Sequence, residues 1–383
     1  MARQLFREEH EIFRKSLRDF VMREVRPYAE QWDRDRNIPR EIWKKLGAQG
    51  FLGFWMDEKY GGSNADFLYS VVFVETLGEG GSAGLTMALG VHNDIAVPYI
   101  NMLGNEEQKQ KWLPGCATGD LICALGITEP GAGSDVAAIR TTAVRQGDFY
   151  VINGQKTFIT NGYNCDIVVL AVKTDPKAVP PHAGVSLIVV ENGTPGFRKG
   201  RKLEKMGCHA SDTAELVFED CRVPAANLLG GEGMGFVPIM KNFQQERLIS
   251  AIGSIKSCDL MLDLTIEYAK TREAFGKPIV KFQHNLFKIV EMKTEIEMAR
   301  AFTYNLIEDY VNGEDITLKV SMAKWFNAEL ANRVAYQCVQ LHGGYGYMQE
   351  YAICRAFTDV RMGNIAAGTT EVLKNYIGKM MGL

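Results

Sequence analysis

FYVINGQKTFITNG, residues 149–162, reads as a piece of sheet in a chain whose flanks read as helix. Phe149 to Ile152, and then Thr157, Phe158 and Ile159, are largely the aromatic and β-branched types that fit a pleated surface. Between them stands Asn153-Gly154, a pair that tolerates positive φ, so the spacing predicts a tight hairpin. Runs of the same character at 121–127, 167–172, 185–190 and 214–218 extend the pattern. They predict a middle antiparallel, β-barrel-like domain over 122–232.

Outward from this block the period changes from strand to helix. On the N-terminal side Phe13, Leu17, Phe20, Val21 and Val25 recur at helical spacing until Pro27 breaks the pattern. Further helices are expected at 40–46, 67–78 and 105–112, separated by Gly47, by Gly61-Gly62-Ser63-Asn64 and by the glycines at 78–81. On the other side, after Gly230-Gly231-Glu232-Gly233, the helical period returns. Phe282, Leu286, Ile289, Ile296 and Ala299 share a face of a helix over 282–311, and 320–341 forms another. Val334, Tyr336, Val339 and Leu341 leave no clean solvent stripe, which points to an outer face where subunits meet. The fold class is therefore α+β and multidomain: an N-terminal helical domain over 1–121, the middle β domain over 122–232 and a C-terminal helical bundle over 233–383.

A chain of 383 residues suits two or three domains. With 46% apolar and 23% charged residues, disorder and a disulfide-dependent miniprotein are excluded. Forty-three Lys plus Arg against 46 Asp plus Glu, with no block of one sign, gives no electrostatic support for a nucleic-acid partner. The eight cysteines form no CxxC pair and the six histidines no HExxH, so free thiols in a reducing compartment are expected and no metal site is. Met1-Ala2-Arg3-Gln4-Leu5-Phe6 runs straight into charged residues rather than the apolar stretch of a secretory signal. The apolar runs fall far short of the ~18–20 residues that cross a bilayer, so no membrane span and a cytoplasmic location are expected.

Three loops have the chemistry of ligand sites. Thr128-Glu129-Pro130-Gly131-Ala132-Gly133-Ser134-Asp135 follows a strand and offers a hydroxyl and exposed amides to a flat or anionic ligand. It lacks the GxGxxG that opens a dinucleotide-binding βαβ unit, as does Gly231-Glu232-Gly233-Met234-Gly235. Phe158 at a strand end suits either covering a ring or the core, and Thr160 offers a hydrogen bond. Arg272, ending a helix near Tyr268, suits either a diphosphate or solvent, and Leu341-His342-Gly343-Gly344-Tyr345-Gly346 is a glycine-rich bend between helices.

TEPGAGSD at 128–135, NGQKTFITNG at 153–162, FEDCRVP at 218–224, RxAFGK at 272–277, QLHGGYGY at 340–347 and GTTE at 368–371 together resemble the acyl-CoA dehydrogenase family in order and spacing. The members acting on long-chain or branched substrates are the most similar, through ENGTPGFRKGRKLEKMG at 191–207, SDTAEL at 211–216 and QERL at 245–248. The resemblance implies noncovalent FAD, an acyl-CoA substrate, electron transfer flavoprotein as the reoxidising partner and a homotetramer. By motif position it implies flavin contacts from Thr128, Phe158, Thr160 and Thr369, with Phe158 where many relatives carry tryptophan. Arg272, Phe275, Gln283, Gln340, Gly343 and Gly344 correspond to residues that hold the diphosphate and adenosine half across a subunit boundary. Ser134 falls near the coenzyme A portion and Arg247 near the substrate.

The family's usual base position, just before the Gly-Thr pair, is Ala367 here, preceded by Ala366, and neither side chain takes a proton. A subset similar to isovaleryl- and long-chain acyl-CoA dehydrogenases places glutamate before an arginine on the helix that follows the middle domain, which is Glu246 in this chain. Helical spacing puts Glu246 and Arg247 beside a face with Ile239 and Phe243, so partial shelter is expected. Burial raises a carboxylate pKa and the adjacent Arg247 lowers it, a balance the sequence leaves open. Glu371, in the first turn after Gly-Thr, suits capping or solvent. The implied reaction is α-proton removal by Glu246 with β-hydride transfer to flavin, the thioester oxygen receiving the Ala367 amide. Small side chains at Ala366 and Ala367 leave room for branching beside the reacting carbons. An acyl-CoA oxidase, and a noncatalytic flavin or acyl-CoA scaffold, remain as alternatives.

Overall fold

A computed structural model describes residues 5–383, so the reading of residues 1–4 lies outside the described residues. Seven helices come first: α1 (Glu8–Phe20), α2 (Ala29–Asp35), α3 (Arg40–Ala48), α4 (Phe67–Gly78), α5 (Ala83–Gly90), α6 (Val97–Leu103) and α7 (Glu106–Thr118). A π-helical turn, Val21–Val25, continues α1, and a second, Val91–Ala96, joins α5 to α6. α4 is apolar almost all round because it is buried on nearly every side, and Asp66 caps it by accepting the Leu68 N–H at 2.9 Å.

The middle domain is one sheet of eight strands: β1 (Cys123–Gly126), β2 (Thr142–Gln146), β3 (Phe149–Thr160), β4 (Ile167–Lys173), β5 (Val185–Glu191), β6 (Phe197–Lys202), β7 (Thr213–Pro224) and β8 (Leu228–Leu229). The order β6-β7-β3-β2-β4-β5-β8 leaves the two end strands unpaired with each other, so the sheet is open rather than a closed barrel. It is also mixed, since β1 runs parallel to β4. β4 and β5 read as near-continuous apolar runs, interrupted inside β5 by Ser186, because both faces are covered. Val169, Ala171, Leu187 and Val189 face the core shared with α6 and α7, whereas Val168, Leu170, Ile188 and Val190 face the core shared with β3 and β7.

The hairpin expected at Asn153-Gly154 is absent: both residues lie inside β3, paired with β2 on one side and β7 on the other. The tight turn is Gly147-Asp148, which joins Gln146 to Phe149. Asn153 spends its polarity across the sheet, exchanging hydrogen bonds with Asp220 at 2.8 and 3.1 Å. Gly154 has φ +151° and a β-carbon there would lie 2.4 Å from Thr141 Oγ1, so the pair serves a bulge and a close approach instead of a turn.

The C-terminal part holds α8 (Phe236–Thr271), the short ribbon β9 (Glu273–Ala274) and β10 (Lys277–Pro278), α9 (Gln283–Val311), α10 (Thr317–His342), α11 (Ala352–Asp359) and α12 (Thr370–Met380). α8, α9 and α10 share one apolar core, and α8 packs on α4, tying the two helical regions together. Val334 belongs to that core, whereas Tyr336 is exposed. Among the described residues no helix is long and apolar enough to cross a membrane.

Candidate active site

α8 begins where the 230–235 connection is pinned, with Gly233 N–H bonded to Ser186 Oγ at 2.8 Å and Gly235 N–H to the Val185 carbonyl at 2.8 Å. Its buried stripe Ile239, Asn242, Glu246, Ile249 follows the helical period and contains one carboxylate. Glu246 is 5% exposed, more deeply buried than its spacing alone suggests. Oε1 accepts from Asn242 Nδ2, one turn earlier, at 3.0 Å, and from the buried Tyr99 hydroxyl of α6 at 3.2 Å. Among the described residues Oε2 takes no hydrogen bond, yet it is not sealed from solvent. Burial outweighs the Tyr99 and Asn242 bonds and the Arg247 charge, and pushes the carboxyl up to about 7. The Glu246 contacts to Arg247 or Ser250 that a surface helix would make are not formed.

Arg247, the next residue along α8, reaches toward α10 and α12. Its guanidinium lies 5.4 Å from the Phe243 ring and 5.6 Å from the Tyr376 ring of α12, and Nη1 donates to Ser321 Oγ of α10 at 3.3 Å. Nε is buried without a partner, a donor left over for a ligand. One turn along α10 from Ser321, Lys324 is 1% exposed and Nζ donates at 2.6 Å to each of two carbonyls, Ala366 and Gly368. These belong to the turn before α12. There Ala367 has φ +53° and, among the described residues, its N–H bonds nothing within the protein. Thr369 caps α12 by accepting the Val372 N–H at 3.3 Å, and Glu371 is exposed in the first turn.

The Thr128 loop lies against β3 through the Thr157 N–H bond to the Thr128 carbonyl at 2.9 Å. Beneath it Lys156, fully buried, donates to Glu129 Oε1 at 2.7 Å and to the Ile127 carbonyl at 3.0 Å. Glu129 also accepts the N–H groups of Arg140 and Thr141 at 2.6 and 2.9 Å. A register shift between Lys156 and Ile159, with φ +58° at Phe158, turns that ring out of the sheet to 68% exposure rather than into the core. The Thr128 and Thr160 hydroxyls beside it bond nothing among the described residues, and Ser134 is exposed. Ile127 and Phe243 pack on the same core as Tyr99, which joins this loop to the Glu246 end of α8.

The remaining expected residues form a second group at the far end of α8. Arg272 caps that helix, lies 5.6 Å from the Tyr345 ring, and lines an open recess of about 480 Å³ with Tyr268, Gln340, Gly343 and Gly344. A β-carbon on Gly343 or Gly344 would meet empty space, which leaves room for a ligand along this edge. Phe275 is 96% exposed and Gln283 is exposed at the start of α9. The donors fit the two halves of FAD: free hydroxyls and an outward aromatic for a ring system, and arginine, glutamine and bare backbone for a diphosphate and sugar. Tyr99, Asn242, Ser321, Lys324 and Tyr376 are not among the residues to which the sequence motifs point. Asn242 stands four residues before Glu246, and Lys324 interrupts the buried stripe Val320, Ala328, Ala331, Ala335, so each had a readable signal.

Comparison with known proteins gives three consecutive family matches. The descriptions "Acyl-CoA dehydrogenase, N-terminal domain", "middle domain" and "C-terminal domain" match residues 7–120, 124–221 and 233–382. The chain is 44% identical over 379 residues to the mitochondrial long-chain specific acyl-CoA dehydrogenase of Rattus norvegicus, covering 99% of this chain and 88% of the relative. It is 39% identical to the mitochondrial isovaleryl-CoA dehydrogenase of Bos taurus, covering 97% and 88%. A crystal structure of an acyl-CoA dehydrogenase from Geobacillus kaustophilus superposes with a TM-score of 0.97 at 53% identity, over 99% of this chain and all (100%) of that one.

Proposed function

The chain belongs to the acyl-CoA dehydrogenase family of FAD-dependent oxidoreductases, and we propose that it oxidises a saturated medium- to long-chain or branched acyl-CoA to the trans-2-enoyl-CoA with Glu246 as base. One observation carries the reading. Glu246 is buried with Oε1 held by two donors and Oε2 free, while the residue before Gly368 is an alanine that has no carboxylate to offer.

Oε2 takes the α-proton, the C–H electron pair moves into the C=C bond of an enolate, and the negative charge settles on the thioester oxygen. The unpartnered Ala367 N–H donates to that oxygen. FAD, when bound, supplies the acceptor for the β-hydride. Thr128, Phe158, Thr160 and Thr369 would hold its ring, Ser134 the coenzyme A portion and Arg247 the thioester region. Small Ala366 and Ala367 support acceptance of a branched α-carbon. Arg272, Phe275, Gln283, Gln340, Gly343 and Gly344 would serve the diphosphate and adenosine of another copy's cofactor. Arg272 stands 26 residues beyond Glu246, ~39 Å along one helix, which supports a shared site in a homotetramer. The reading extends to electron transfer flavoprotein as acceptor and to a cytoplasmic setting, the latter supported by eight free cysteines.

The test is anaerobic bleaching of the flavin absorption by straight and branched acyl-CoAs. Glu246→Gln is expected to retain FAD and to bleach about a thousandfold more slowly than the parent. Bleaching at the parental rate would remove Glu246 as base.

A further inference from the structure

Two peptide units of the turn before α12, 366–367 and 368–369, are tied to one buried ammonium, with the 367–368 unit between them. Lys324 reaches the Ala366 and Gly368 carbonyls at the same distance, 2.6 Å, and has no carboxylate partner among the described residues. In a trans peptide the C=O and the next N–H point in opposite directions. Drawing the Ala366 carbonyl toward α10 therefore sends the Ala367 N–H away from α10, and that N–H is the one left without a partner. The strained φ of +53° at Ala367 is held from the other flank as well. Asn332 of α10 donates to Asn364 Oδ1 at 2.5 Å, and Asn364 donates to Glu329 Oε1 at 2.6 Å. Lys324 is thus placed to fix the direction of an amide, and its charge on the carbonyl of that same peptide makes the N–H a stronger donor.

Resting on the proposed reading of Glu246 and the Ala367 amide, we propose that Lys324 is a positioning residue for the reaction, which aims and polarises the Ala367 N–H at the thioester oxygen of the enolate. Its effect grows as charge develops on that oxygen, so it acts on the transition state more than on the bound substrate. Arg247 of α8 is the cation that bears on it, and burial together with that cation lowers the Lys324 pKa to about 8.

The probe is 3-thiaoctanoyl-CoA, in which sulfur replaces the β-methylene. Its α-proton is acidified and it has no β-hydride to give, so its enolate accumulates beside oxidised flavin and absorbs at long wavelength. The pH midpoint of that band measures enolate stabilisation in the holoenzyme. Lys324→Met is expected to raise the midpoint by about one pH unit, with kcat for octanoyl-CoA about tenfold lower and KM little changed. Lys324→Arg, which keeps charge and two donors, is expected to restore the midpoint even if thermal stability is not restored. A parental midpoint in Lys324→Met overturns the inference, as does a Lys324→Arg midpoint displaced as far as that of Lys324→Met. Should Lys324→Met fail to retain FAD, Lys324→Gln is titrated instead, and a parental midpoint there has the same force. If the parent itself gives no band, α-proton abstraction fails as a reading and the role of Lys324 falls with it; if the parent gives the band and the variants do not shift it, only Lys324 is lost.

Discussion

At the scale of single residues, the proposed role of Glu246 as base ties the reaction to pH. Its carboxyl sits at about 7 because burial outweighs the donors that favour the ion, so kcat/KM is expected to rise with pH to a midpoint near that value. The Tyr99 bond favours the charged form, and Tyr99→Phe should move the midpoint upward by about half to one pH unit. An unmoved pH profile would show that the hydroxyl has no hold on the base. The same shift bears on stability. Between the ordinary carboxylate value of 4.5 and about 7 the folded protein keeps a proton that the unfolded chain releases, so stability is greatest below that window and falls as pH rises through it. At about pH 8 Glu246→Gln should be the more stable protein, by about 2–3 kcal/mol, and the two should converge near about pH 4, as calorimetry over that range would reveal. Asn242 was readable as a partner from helical spacing. Tyr99, 147 residues away in sequence, was not, because no local period connects it to α8.

At the scale of elements, β3 carries part of the candidate site in a form the sequence disguises. Aromatic and β-branched residues at 149–160 identified a strand, but its two bulges look like loop signals when read along one chain. Asn153-Gly154 and Phe158 owe their conformations to neighbours, namely Asp220, Thr141 and the register against β7, which only pairing reveals. β6, with the sequence FRKGRK, is strand only because it lies along β7 at the sheet edge, where charged side chains are tolerated. Below the Thr128 loop, the Lys156–Glu129 pair holds β3 to the turn. Lys156→Met leaves Glu129 buried without its cation, and a loss of about 3 kcal/mol is expected, with weaker retention of FAD on gel filtration. Parental urea unfolding in that variant would mean that the backbone donors from Arg140 and Thr141 alone neutralise Glu129.

At the scale of the whole molecule, α8 sets the two proposed half-sites far apart. One holds Glu246, in the first third of the helix, and the other Arg272, at its C-terminal cap, so the proposed assembly completes each site with the second half from another copy. Exposed Phe287, Val290, Met298 and Phe302 along α9 give that assembly an apolar face. Complementation tests it: Glu246→Gln and Arg272→Ala chains, each inactive alone, should regain activity when co-expressed, since a mixed pair contains one site with both residues intact. No recovery in verified hetero-oligomers would confine each site to a single chain. By itself the sequence determined the helix–sheet–helix succession, the family motifs and the absence of a carboxylate before Gly368, because hydrophobic period and residue identity are local properties. The tertiary structure decided what those residues experience. The burial that lifts Glu246, the two carbonyls on Lys324 and the outward turn of Phe158 arise from contacts between distant segments, and electrostatics and hydrogen-bond direction depend on distance in space rather than along the chain.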